Sequence, residues 1–294
     1  VFAFGGGSAL DAGKAVALMV GQTRPLWDFE DVGDNWTRVK PEGIAPVVSV
    51  PTTSGTGSEV GRASVITDEA THTKKIIFHP GMMPAIVIAD PALTVGLPPH
   101  ITAATGMDAF AHCLEAFCAP GFHPPADGIA LEGMRLVRDY LSRAVRDGQD
   151  MEARANMMAA AAMGATAFQK GLGAIHSLSH PVGAIYDAHH GLANAVFMPY
   201  VLIHNRRAIE GRIAAVGRYL GLSKPGFEGF LQWVLDLRKE LKIPHGCRAL
   251  GVEESRLDEL SKMAAADPTA GGNPVPVDAA AMKKLYQAAL AGTV

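Results

Sequence analysis

Every segment of this chain that reads as a β-strand falls within its first ninety residues, and this asymmetry constrains the fold more than any other feature. Val1 to Phe4 is a short apolar run entering Gly5-Gly6-Gly7-Ser8, and Pro46 to Val50 is β-branched. Ala63 to Thr67 and Lys75 to Phe78 are further short candidates. Ala85 to Ala89 (AIVIA), closed by Asp90-Pro91, has the continuous apolar pattern of a buried strand. Beyond Leu97-Pro98-Pro99 the texture becomes helical and rich in Ala, Leu and Met. Helical periodicity runs over Ile101 to Phe117, Ala126 to Arg146, Met151 to Gln169, Arg206 to Leu220, Phe227 to Leu241 and Val277 to Ala291. The expected architecture is an α/β domain over residues 1–97 followed by an all-α domain over residues 98–294. A chain of 294 residues is long enough for two such cores.

Two glycine-bearing polar loops follow strands in the first domain. Gly5-Gly6-Gly7-Ser8 sits between a strand and a helix that Ser8 is placed to cap. Three glycines allow close approach of a ligand to the backbone, and the helix N-terminus offers free N–H groups to an anion such as a pyrophosphate. Asp11 lies near that helix start, where the dipole also favours a carboxylate. The spacing is neither a G-x-G-x-x-G fingerprint nor a P-loop, so an ordinary tight turn is the competing reading. The second loop, Pro51 to Glu59 (PTTSGTGSE), holds five hydroxyl residues and two glycines in nine positions, suited to phosphate or ribose contacts at a strand's carboxyl end. A dinucleotide-binding domain is therefore expected here. It is expected to be incomplete at its start, since such a sheet needs more strands than residues 1–97 supply.

Histidines and one aspartate mark the second domain. Asp108 and His112, four apart, share one helical face with Glu115 close by. The segment GAIHSLSHPVGAIYDAHHG brings His176, His180, His189 and His190 within fifteen residues. His176 and His180 again share a face, Pro181 is expected to kink or end their helix, and His190-Gly191 reads as a turn. Four histidines in a mostly apolar segment, with an Asp-x-x-x-His elsewhere, are better explained as a metal site than as satisfied core histidines. One carboxylate plus imidazoles suits Fe(II) or Zn(II) with an open coordination position.

Composition narrows the partners. The formal charge is −3 and basic residues are not clustered, which argues against nucleic acid and anionic membrane surfaces. No apolar run reaches the ~18 to 20 residues of a membrane span, and VFAFGGGS is too short for a signal peptide. Three cysteines (Cys113, Cys118, Cys247) fit no disulfide framework, so a reducing cytoplasm is expected.

These residues together resemble the iron-containing (group III) alcohol dehydrogenase family, whose architecture is dehydroquinate synthase-like. The matching motifs are GGGSALDAGK at 5–14, PTTSGTGSEV at 51–60, DPALT at 90–94, ATGMDAFAHCLEAF at 104–117 and the stretch from His176 to Asn194. The resemblance covers nearly the whole chain but not the strands that family members carry upstream of the glycine turn. It implies metal ligands at Asp108, His112, His176 and His190, and a further histidine, His180, where nicotinamide and substrate meet. Dinucleotide contacts carry over to Gly6, Gly7, Ser8 and Asp11, to Thr52 and Thr53, to Lys74 (with Lys75 the competitor after a one-residue shift) and to Leu93. His189 is extra relative to the pattern, and Asn273-Pro274 lacks the arginine that often follows.

The implied activity is reversible hydride transfer between NAD or NADP and a small alcohol or aldehyde, with Fe2+ or alternatively Zn2+ polarising the substrate oxygen. His180 is the candidate proton relay, with orientation of a metal ligand as its other role. A homo-oligomer is expected from the resemblance alone. The alternatives are a maleylacetate reductase or glycerol dehydrogenase-like enzyme on the same fold, and a non-catalytic nucleotide- or metal-binding protein.

Overall fold

The computed structural model describes residues 1–71 and 73–294. Strand β1 (Phe2–Gly5) pairs in parallel with β2 (Val48–Pro51), register Phe2 to Val48 and Gly5 to Pro51, and β2 pairs in parallel with the two-residue β5 (Ile86–Val87). The crossover that parallel pairing of β1 and β2 requires carries helix α1 (Gly7–Met19), which buries Leu10 and Ala17 against Ala3 and Val47 and Leu18 in a second cluster with Phe29 and Ile77. Because β1 and β2 are parallel and in register, Gly5 and Pro51 end side by side. Both polar loops therefore leave the same edge of the sheet. Strands β3 (Ala63–Asp68) and β4 (Thr73–Phe78) form a separate antiparallel pair.

Eight helices follow: α2 (Pro99–Cys118), α3 (Pro124–Arg146), α4 (Met151–Ala167), α5 (Ala174–Tyr186), α6 (His190–Tyr219), α7 (Phe227–Glu240), α8 (Leu257–Ala266) and α9 (Ala279–Ala291). No strand follows Val87 among the described residues. Every residue of α2 from Thr102 to Cys118 is buried, the mark of a helix enclosed on all sides. It is packed by α3, α4 and α6, with Met107, Phe110 and Leu114 in the main core. By contrast α3 is amphipathic, its outer face laced by Arg135 with Glu132 and Asp139.

Four expectations are corrected. Gly6, not Ser8, caps α1: its carbonyl receives the N–H groups of Ala9 and Leu10, while no side chain caps the first turn. Ile86 and Val87 are 56% and 38% exposed rather than buried, and β5 pairs with β2 at the sheet's edge. Helix α5 continues through Pro181 to Tyr186. Packing on α6 and α8 holds it despite the one backbone bond a proline cannot make. Finally, His190 begins a helix instead of a turn, and α6 runs 30 residues through Pro199, absorbing the segment expected to start at Arg206.

Candidate metal centre

Helix α2 delivers Asp108, His112 and Glu115 from one face, α5 delivers His176 and His180, and the first turn of α6 delivers His190. The imidazole Nε2 atoms of His112, His176 and His190 lie 3.8, 3.8 and 3.6 Å from Asp108 Oδ1. Such separations are too long for hydrogen bonds. They are close to, and at most 0.2 Å beyond, the edges of a coordination polyhedron, since tetrahedral ligands at about 2.0–2.2 Å from an ion stand roughly 3.3–3.6 Å apart. Ligand atoms of Asp108, His112 and His176 all fall within 4.8 Å of one another. The His190 side chain is 26% exposed against 6% or less for the other three, so the cluster opens on its side.

Proton counting supports a cation here. The Asn194 Nδ2 group donates to Asp108 Oδ1 at 2.8 Å and lies 3.1 Å from the Nε2 atoms of both His176 and His190. Two amide protons face three acceptors, and Asn194 Oδ1 is buried without a partner. Burial pushes the His112 imidazole down to about 4, and burial drives His190 well below its ordinary value. Both rings are thus neutral at neutral pH and present lone pairs, the state that binds a divalent metal. The donor set fits Fe2+ or Zn2+.

Behind the cluster stands Glu115, whose Oε1 accepts the Ile175 N–H at 2.7 Å and whose Oε2 is 2.5 Å from His176 Nδ1. Burial disfavours charge on His176, yet the Glu115 carboxylate outweighs it and raises the ring's basicity. A proton held on Nδ1 leaves Nε2 free to face Asp108. Glu115→Gln must present an NH2 to either the Ile175 N–H or the His176 Nδ1–H. We expect metal affinity to fall about 10- to 100-fold with the circular-dichroism spectrum unchanged, measured by chelator competition.

The other expected site residues fall into two groups. Gly6 and Gly7 approach the second loop closely: a Cβ on Gly7 would stand 2.5 Å from Thr56 Cγ2, and one on Gly6 3.3 Å from Thr53 Cγ2. Ser8 lies in the uncapped first turn of α1 beside them, and the Thr52 N–H donates to Gly5 O. The structure therefore brings Gly6, Gly7, Ser8, Thr52 and Thr53 together. Asp11 turns inward: Oδ1 accepts from Ser58 Oγ at 2.6 Å and from Lys14 Nζ at 3.1 Å, and Oδ2 accepts the Val65 N–H at 2.9 Å. Its carboxylate ties α1 to β3, and buried Lys14 adds bonds to Ser58 O and Ala63 O.

The two lysines of β4 differ in their partners. Lys75 is paired with Asp68 at 2.9 Å and lies over the Trp27 ring. Lys74, whose pKa is lowered by burial, shares with Lys75 a cleft of about 420 Å3 that Thr73, Ile76, His180, Pro181 and Asp267 also line. Leu93 is exposed on the Pro91–Thr94 turn and is not among the residues lining this cleft.

His180 stacks on His190 with ring centroids 5.3 Å apart, and its Nδ1 is 2.8 Å from Asp267 Oδ2. His189, the extra histidine, instead accepts the Leu192 N–H at the start of α6. Sequence reading missed Glu115, Asn194 and Asp267 as parts of the site. Glu115 alone carried a signal, as a carboxylate seven residues after Asp108 on an otherwise apolar face.

A strand–glycine–helix turn of the kind that binds anions and a buried carboxylate–imidazole cluster that could hold a metal are what a metal-dependent, nicotinamide-linked oxidoreductase requires. Comparison with known proteins agrees. The family model for iron-containing alcohol dehydrogenase matches residues 1–91, and that for the family's C-terminal region matches residues 102–290. A 4-hydroxybutyrate dehydrogenase of Cupriavidus necator is 43% identical over 97% of this chain and 76% of its own length. An NAD-dependent methanol dehydrogenase of Bacillus methanolicus is 38% identical over 92% of this chain and 71% of its own. The crystal structure of a 1,3-propanediol oxidoreductase superposes with a TM-score of 0.92 at 32% identity, covering 98% of this chain and 76% of that one. The chain belongs to the iron-containing alcohol dehydrogenase family. It is an oxidoreductase that interconverts alcohol and aldehyde with a nicotinamide cofactor and a divalent metal. Among the described residues no helix is long and apolar enough to cross a membrane.

Proposed function

We propose that Asp108, His112, His176 and His190 hold the metal, that the cleft lined by Lys74 and His180 takes the reacting ends of substrate and nicotinamide, and that His180 handles the substrate proton. The observation that carries this reading is the convergence of three imidazole nitrogens on Asp108 Oδ1 beside that cleft. A divalent ion held there would supply Lewis acidity for the substrate oxygen, and a nicotinamide bound in the cleft would supply the hydride acceptor or donor.

The chain's own residues do the rest. Backbone N–H groups at the start of α1, uncapped by side chains, bind the cofactor pyrophosphate over Gly6, Gly7 and Ser8, with Thr52 and Thr53 beside it. Lys74 meets an anionic or ribose group at the cleft wall. Asp11 and Leu93 complete the cofactor set, Asp11 by fixing α1 against β3 rather than with a free oxygen. The glycine-loop part of the chain, residues 1–97, and the helical part, residues 98–294, act as cofactor and metal domains. A cytoplasmic location and a homo-oligomeric state belong to the same proposal; the three free, buried thiols suit a reducing compartment.

The substrate is a small alcohol or its aldehyde, and the kinship with a 4-hydroxybutyrate dehydrogenase makes ω-hydroxy acids the first to try. The test is reduction of NAD+ and of NADP+ by methanol, 1-butanol and 4-hydroxybutyrate after metal reconstitution. Metal-dependent turnover of at least one alcohol is expected. Bound cofactor without reduction by any of these alcohols, under any divalent metal, would overturn the substrate class and the roles proposed for the metal cluster and His180.

A further inference from the structure

The turn that joins α8 to α9 runs alongside α5 and touches it three times. Asn273 Oδ1 accepts the Ala174 N–H at 3.2 Å, Thr269 Oγ1 lies 2.9 Å from Ser177 Oγ, and Asp267 Oδ2 faces His180 Nδ1 at 2.8 Å. Residues 174, 177 and 180 are three apart, so the contacts follow one face of α5. Asn273 is itself locked by a reciprocal amide pair with Asn205 of α6. Asp267 is equally fixed, since its Oδ1 accepts the Thr269 N–H at 2.9 Å and the Thr269 hydroxyl at 2.5 Å. Burial works against its charge, but the bonds from His180 and Thr269 prevail and hold the carboxyl below the usual range.

We infer that Asp267 is the positioning residue for His180, fixing the tautomer in which Nδ1 carries the proton and Nε2 presents a lone pair to the cleft. This rests on the reading of His180 as the proton-handling group. In alcohol oxidation the C–H bond breaks with its electron pair passing to the oxidised nicotinamide, and the O–H bond breaks with its proton passing to a base. His180 can take that proton only on a nitrogen with a free lone pair. Nδ1 is committed to Asp267, which leaves Nε2. In aldehyde reduction the same atom returns the proton.

The chemistry of Asp267→Asn makes the inference sharp. The backbone N–H of Thr269 requires an oxygen at the Oδ1 position, so the new NH2 must stand at the Oδ2 position. It then donates to Nδ1 and forces the ring proton onto Nε2, the wrong nitrogen for accepting a proton. The expected result is a fall in kcat of roughly 10²-fold or more. Metal content and the KM for the nicotinamide should be unchanged. In a His180→Ala background the same substitution should cost nothing further.

Ring 15N–1H correlation spectra of the wild-type protein provide a readout independent of turnover and of the variant's folding. His180 should show a protonated Nδ1, and Nε2–H in Asp267→Asn. Full turnover in His180→Ala would overturn the role given to His180 itself. A slow His180→Ala beside an Asp267→Asn of wild-type kcat would overturn only this inference. So would equal losses from Asp267→Asn with and without His180, or a wild-type ring protonated on Nε2.

Discussion

Asp108→Asn should leave the chain folded and remove both its metal and its turnover. The amide matches the carboxylate in shape, and the Asn194 Nδ2–H can still donate to the retained oxygen. What disappears is the negative charge on which three imidazole nitrogens converge from 3.6 to 3.8 Å. Deleting one partner of a buried charge pair costs about 3–5 kcal/mol, which is roughly two to three and a half orders of magnitude in metal affinity. The two imidazoles that stack on each other, His112 and His176 with centroids 4.7 Å apart, remain packed. A thermal midpoint for the metal-free variant equal to that of metal-free wild type, beside an undetectable metal content, is the expected pair of observations.

Gly191→Val should damage the same centre by a different route. His190 can reach Asp108 only because α6 begins in contact with α2, and Gly191 makes that contact: a Cβ there would stand 2.2 Å from Ala104 O and 3.0 Å from Asp108 Cβ. Neither neighbour is the end of a flexible side chain, so the helices must separate. Overpacking of this kind costs about 1–3 kcal/mol, and the separation carries His190 away from the other three ligands. The variant should therefore lose stability even without metal, unlike Asp108→Asn, and bind metal more weakly. Thermal unfolding with and without a saturating divalent ion separates the two variants.

The contrast shows why the sequence spoke clearly about some parts of this site and not others. Asp108, His112, His176 and His180 were legible because helical spacing alone puts each pair on one face. Their partners depend on tertiary packing. Asp267 reaches His180 across 87 positions of sequence only because α8 and α9 pack along α5, and Asn194 is set by α6 starting one residue before Gly191. Local signals misled where packing or pairing prevailed. Pro181 promised a kink or an end, and packing on α6 and α8 carries the helix past it, while Ser8 promised a cap that Gly6 supplies. The AIVIA run promised a buried strand, yet only Ile86 and Val87 pair, at the sheet's edge. The parallel order of β1, β2 and β5, which sets both polar loops at one edge, follows from the strand–glycine–helix pattern.

The central claim is that one divalent ion, held by Asp108 and three histidines, is required for alcohol-dependent reduction of the nicotinamide. Anaerobic titration of Fe2+ into chelator-treated protein, with activity read at each addition, tests it most directly. Activity should rise from near zero in a straight line and break at one equivalent per chain. Full activity in the metal-free protein, or a rise with no break at one equivalent, would contradict the account.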